Sequence, residues 1–102
     1  MLISSQNAEG IRRVANQKLG ALIHQPDDLK KMELIKSLYV FLRNGGKLEQ
    51  TMQDLNISMS GLKYRVQKLE SILGKNLRDP AEAYQLLLIL ESMIAIGELE
   101  IR

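Results

Sequence analysis

Serines, cations and one aromatic ring crowd the middle of this chain: Ser58, Met59, Ser60 and Gly61, then Lys63, Tyr64 and Arg65, then Lys68. Hydroxyls bond to base edges or to phosphate oxygens, and lysine or arginine neutralises phosphate or reads guanine. Tyr64, flanked by Lys63 and Arg65, suits a sugar–phosphate backbone or packs its ring beside the preceding turn. Lys47 and Lys75 lie just outside this run and add two further cations for phosphates. The chemistry on offer is recognition of an anionic, hydrogen-bonding partner.

Side chains able to make or break bonds are placed otherwise. His24 is the one histidine; it stands beside Gln25-Pro26, where a helix boundary is expected, with no second ligand near it. Asp27-Asp28 suits the positive end of a helix dipole better than a catalytic dyad. Gly45-Gly46 follows no strand and lacks the lysine and hydroxyl spacing of a phosphate-binding loop. The absence of cysteine removes disulfides, thiolate metal sites and cysteine nucleophiles. No catalytic residue, metal site or cofactor is expected, and the chain does not read as an enzyme.

Apolar spacing supplies the elements that must position the central run. A first helix is expected over 8–24, with Ile11, Val14, Ala15, Leu19 and Leu22 at helical spacing and Gly20 and Gln25-Pro26 marking its end. Pro26-Asp27-Asp28 opens a second, proline at its first position. On it Leu29, Met32, Ile35, Leu38, Tyr39 and Leu42 form an apolar face that Leu34 and Phe41 widen. Asn44-Gly45-Gly46 stops it, because glycine takes the left-handed conformation that helix ends commonly require.

A short helix over 48–55 carries Leu48, Met52 and Leu55; Asn56 makes the turn and Ile57 dips back into the core. Ser58 then caps a helix over 58–73 with Leu62, Val66, Leu69 and Leu73 on one face, closed by Gly74. Asp79-Pro80-Ala81-Glu82 has the form of a capping box. It opens a last helix that is apolar on nearly every side, as suits either the central core helix or a core helix that also forms a subunit interface, with the first helix the second candidate for that interface. Met1, Met32, Met52 and Met93 read as core fillers, and Met59 as facing solvent. The segment 98–102 is too short to assign.

With 102 residues, 45% of them hydrophobic and 25% charged, the chain fits one packed all-α domain over 1–102, with 26–97 its core. The net charge is only +2, but it is unevenly spread. From 43 to 78 seven cations meet three acids, and from 79 to 102 one cation meets five. From charge alone the middle reads either as ordinary solvated surface or as a segment that faces anions. Met1 to Ser5 lacks the basic flank and apolar length of a signal peptide. The longest apolar run, Leu86 to Leu90, falls far short of the ~18 residues of a membrane span. A cytoplasmic protein is expected.

Two helices joined by a turn at Asn56 have the layout of a helix-turn-helix over 47–73. In that motif the first helix braces the second, whose N-terminal part enters the major groove. The stretch from Leu48 to Asp79 resembles the C-terminal helix-turn-helix domain of the PucR/CdaR family of bacterial transcription regulators. The likeness rests on Gly45-Gly46, Leu62-Lys63-Tyr64-Arg65, Leu69, Leu73-Gly74, Leu77 and Asp79-Pro80, in order and spacing. Leu19-Gly20-Ala21-Leu22 resembles the family's Leu-Gly-Pro-Leu, and Leu34 to Leu38 its Leu-x-x-Thr-Leu, so the similarity runs from about Ile11 to Met93. Where the family carries His-Arg-Asn-Thr at the start of the recognition helix, this chain has Ser58-Met59-Ser60-Gly61. Met52 replaces a small alanine, and Lys47 an asparagine cap.

The resemblance implies a DNA-binding module acting as a homodimer and borne at the end of a longer regulator with an N-terminal sensing domain. A chain of 102 residues has no room for that domain, so an excised domain or a standalone descendant is expected. The pattern leaves a second reading open: a helical dimerisation or protein–protein module that keeps the fold but no longer reads DNA.

Overall fold

Local signals at the helix ends decide where the elements begin and stop. The computed structural model describes residues 5–101, which form five helices and no strand: α1 (Ser5–Ile23), α2 (Asp28–Arg43), α3 (Leu48–Leu55), α4 (Met59–Leu73) and α5 (Pro80–Ala95). The all-α class of about five helices is thus the one observed. Asp27 caps α2, its Oδ1 accepting from Lys30 N at 3.1 Å, so Pro26 precedes the cap rather than occupying the first helical position. Ser58 caps α4 by accepting from Gly61 N at 3.0 Å. Asp79 caps α5 by accepting from Ala81 N at 3.0 Å. The expected capping box there is half made, because the Glu82 carboxylate turns to Lys75 Nζ at 3.6 Å.

Two turns build the motif. Between α2 and α3, Gly45 and Gly46 take φ of 63° and 80°, values that glycine alone adopts without penalty. Asn44 locks this turn, its Nδ2 donating to Thr51 Oγ1 at 3.2 Å and to Asp54 Oδ2 at 3.0 Å. Between α3 and α4, Asn56 sits in the left-handed region at φ 54° and ψ 50°, as expected of it.

Packing makes α2 the hub. It touches α1, α3, α4 and α5, whereas α3 meets only α2 and α4, and α5 only α1 and α2. Its inward face buries Leu34, Ile35, Leu38, Phe41 and Leu42. These join Leu19 and Leu22 of α1, Leu62 and Leu69 of α4, Leu77, and Leu86 and Leu90 of α5 in one apolar cluster. After α5, Leu99 and Ile101 fold back onto this cluster, and Arg12 Nε of α1 donates to Glu98 Oε1 at 2.6 Å.

Several expectations are corrected by tertiary contact. Helix α1 runs through Gly20 because Leu22, beyond it, is fully buried and holds the last turn. Leu29 is 82% exposed and Met32 also lies at the surface, since α2 begins before its neighbours reach it. Val14 is likewise exposed. On α3 the buried residue is Thr51, its hydroxyl satisfied by Lys47 O at 2.8 Å; Leu48, Met52 and Leu55 are half-buried around it. Met59 is half-buried rather than open to solvent, while Met1 lies outside the described residues. On α5, Leu86, Ile89 and Leu90 are buried but Tyr84 and Leu88 face outward.

Leu38, at 0% exposure in the hub helix, should cost roughly 2–5 kcal/mol when replaced by alanine. Leu29→Ala, on the same helix, should change stability by no more than about 0.5 kcal/mol. Urea titration of both variants followed by circular dichroism measures the contrast, and equal losses would contradict the packing described.

Candidate nucleic-acid interface

Helix α4 is amphipathic, with one face packed on the molecule and the other open to solvent. Leu62, Val66 and Leu69 are buried against the rest of the molecule. On the opposite side Ser60, Lys63, Tyr64, Gln67, Lys68 and Ser71 are exposed, at i, i+3, i+4, i+7, i+8 and i+11. This stripe carries two lysines, an aromatic ring and three neutral hydrogen-bonding groups, and no acid. Glu70, on the flank of α4, is half-buried and accepts from Leu77 N at 3.0 Å.

The side chains singled out from the sequence divide into three groups. Lys63, Tyr64, Lys68 and Ser60 stand on the stripe. Lys68 Nζ lies 5.9 Å from the centre of the Tyr64 ring, a cation–π arrangement that keeps both side chains upright. Ser58 and Gly61 are engaged in the cap that starts the helix. A Cβ on residue 61 would stand 3.0 Å from Ser58 Oγ, so glycine there lets the hydroxyl close on the backbone. Met59 packs partly inward.

Arg65 is placed apart from the other cations of α4. It does not stand on the stripe but turns to α2, Nη1 donating to Ser37 Oγ at 3.0 Å and Nη2 lying 3.9 Å from Glu33 Oε2. Ser37 is buried and donates in turn to Glu33 O at 2.7 Å. Position 65 falls one turn from Leu62 and Leu69, on the flank that meets α2, so its guanidinium ties two helices together. Of the expected phosphate contacts, Lys47 is exposed at the start of α3 and makes no side-chain cap. Lys75 is paired with Glu82 and so partly neutralised.

Three residues were not singled out from the sequence. Gln67 completes the stripe, and its spacing of four from Lys63 was the signal that could have found it. Arg78 reaches the same region through the loop after α4, which Leu77 burial and the Glu70 bond hold against the helix. A depression beside α4 is lined by Leu48, Lys63, Gln67, Asn76 and Arg78 among others. On the opposite flank Lys30 from α2 joins Tyr64 and Lys68 around a second depression. The stripe thus has cations on both borders, each beside one acid: Glu70 on the first flank, and on the second Glu33, which lies 3.9 Å from Arg65. Among the described residues no group of acidic or histidine side chains is arranged to hold a metal, and no helix is long and apolar enough to cross a membrane.

Comparison with known families adds one finding. The family model of the PucR C-terminal helix-turn-helix domain matches residues 34–92, more than half of the chain. The match runs from the middle of α2 into α5, so the likeness at Leu19-Gly20-Ala21-Leu22 lies outside it. No curated protein and no solved structure matches the chain.

Because Arg65 joins helices while Lys63 faces solvent, alanine should act differently at the two. Arg65→Ala is expected to lower stability by about 1–2 kcal/mol through the lost charged hydrogen bond and stem packing. Lys63→Ala should stay within about 0.5 kcal/mol of the parent. Thermal denaturation of the two single variants measures this, and a null effect of Arg65→Ala would remove its bracing role.

Proposed function

The chain belongs to the PucR C-terminal helix-turn-helix family, whose members are DNA-binding regulatory domains, and from that premise we propose that it binds double-stranded DNA through α4. The observation that carries this reading is the acid-free exposed stripe of α4 with cations on both borders. Ser60, Lys63, Tyr64 and Gln67 on the N-terminal part of α4 enter the major groove. Lys68, Lys30, Arg78 and Lys47 meet phosphates, and the α4 N-terminus turns its backbone N–H groups to the same partner. Arg65 holds the angle of α4 against α2 rather than touching DNA. The five helices share one core, which supports taking the whole chain, 1–102, as a single module. It would serve a cytoplasmic transcription regulator, with a sensing domain supplied by a longer parent chain.

The partner surface for a second copy is α5. Tyr84 and Leu88, 68% and 55% exposed, lie one turn apart on its outer side, and α5 makes no contact with α4. Pairing there leaves both reading helices free, and doubling them raises the affinity of a module that alone makes few base contacts. The outward Tyr84 and Leu88 also fit the competing possibility, a protein–protein module that has lost DNA reading, so binding to DNA is what must be measured.

Affinity for a random duplex should fall steeply with salt, and Lys68→Ala combined with Arg78→Ala should flatten the log–log slope by about 2. A protein that fails to retain duplex DNA even at low salt would leave only the protein–protein reading. For the second copy, sedimentation equilibrium should show a dimer that Leu88→Glu converts to a folded monomer; an unchanged mass would move the interface away from α5.

A further inference from the structure

The six residues of the exposed stripe are not equivalent as readers of bases. The Ser60 hydroxyl lies 3.3 Å from Ser58 Oγ, within the cap. Tyr64 and Lys68 are stacked on each other, and Ser71 lies in the last turn, far from the end of the helix that enters the groove. Lys63 and Gln67 remain. Neither side chain has a hydrogen-bond or ion-pair partner among the described residues, and both project into the depression beside α4.

Their chemistry is complementary rather than redundant. The lysine ammonium has only donors, which match the two acceptors, N7 and O6, that guanine shows in the major groove. The glutamine amide has one acceptor and a donor pair, which match the N6 donor and N7 acceptor of adenine. Residues four apart on a helix are separated by about 6 Å along its axis. Base pairs along one strand recur every ~3.4 Å, so the two side chains span about two steps.

We propose that Gln67 is a specificity-determining residue that reads an adenine, about two base pairs from a guanine read by Lys63. The proposal rests on the DNA-binding reading above and names the sequence chemistry of its partner. Gln67 is exposed and buries nothing, so its replacement alters recognition without altering the fold.

Selection from a pool of random duplexes, with the whole chain as bait, tests it. The parent protein should enrich sites that share a guanine and an adenine at that spacing, and changing the adenine should weaken binding roughly tenfold. Gln67→Ala should lose preference at the adenine and keep the preference for the guanine. Gln67→Arg should replace the adenine by guanine at the same position. Circular dichroism should show parental helical content for both variants. Adenine preference that survives in Gln67→Ala, or parental sites with no adenine, would overturn the assignment while leaving DNA binding intact. If the parent retains no duplex at low salt, the DNA-binding reading fails, and the assignment with it.

Discussion

Everything on the reading side depends on the buried face of α2. This helix alone touches the other four, and its Leu38 and Phe41 are fully enclosed. Polar ties repeat the apolar arrangement. Ser37 receives Arg65 from α4, and Tyr39 donates to Glu91 of α5 at 3.1 Å while accepting from Arg43 at 3.2 Å. Burying Ser37 without a partner would cost free energy, so its double engagement with Glu33 O and Arg65 favours one docking of α4 over neighbouring ones. The orientation of α4 is set by the helices it packs on, α1, α2 and α3, and not by α4 itself.

A consequence is a division of labour between the two ends of the molecule. The motif side is stiffened by short-range devices: the Asn44 amide across to Thr51 and Asp54, the left-handed Asn56, the Ser58 cap closed over Gly61, and Glu70 holding Leu77. The opposite side is built from α1, α5 and the returning segment with Leu99, and it presents Tyr84 and Leu88 outward. Segment 79–102, which includes α5, has five acids against one cation, and segment 43–78, which includes α4, seven cations against three acids, so an approaching anion meets a more favourable field at α4 than at α5. The exposed Tyr84 and Leu88 of α5 thus lie on a different surface from the exposed basic side chains of α4.

Elements with strong local signals were legible from residue types alone. Asp27, Ser58 and Asp79 cap helices because a short side-chain oxygen can reach the free N–H groups of the next turn, a contact decided within three residues. Gly45-Gly46 and Asn56 turn the chain because few other residues tolerate their dihedral angles. The 3.6-residue period of Leu62, Val66 and Leu69 told which side of α4 is buried, and hence that Lys63, Tyr64 and Lys68 face away. Order and spacing across Gly45-Gly46, Leu73-Gly74 and Asp79-Pro80 likewise sufficed to identify the family.

What periodicity cannot convey is which neighbour covers a residue at the margin of a helical face. Arg65 and Lys68 look alike along the chain, yet one lies against buried Ser37 and the other over Tyr64, because α2 happens to pass the first. Leu29 has the right spacing for the core but no helix reaches it, and Gly20 does not break α1 because Leu22 beyond it is gripped by its surroundings. Lys30 and Arg78 border the stripe only because α2 and the loop after α4 fold alongside it. The sequence by itself determined the helices, their caps and the inward face of each, since those follow from contacts within a few residues. The tertiary structure decided which cations stay free for a partner and which are spent inside, since that depends on segments far apart in the chain.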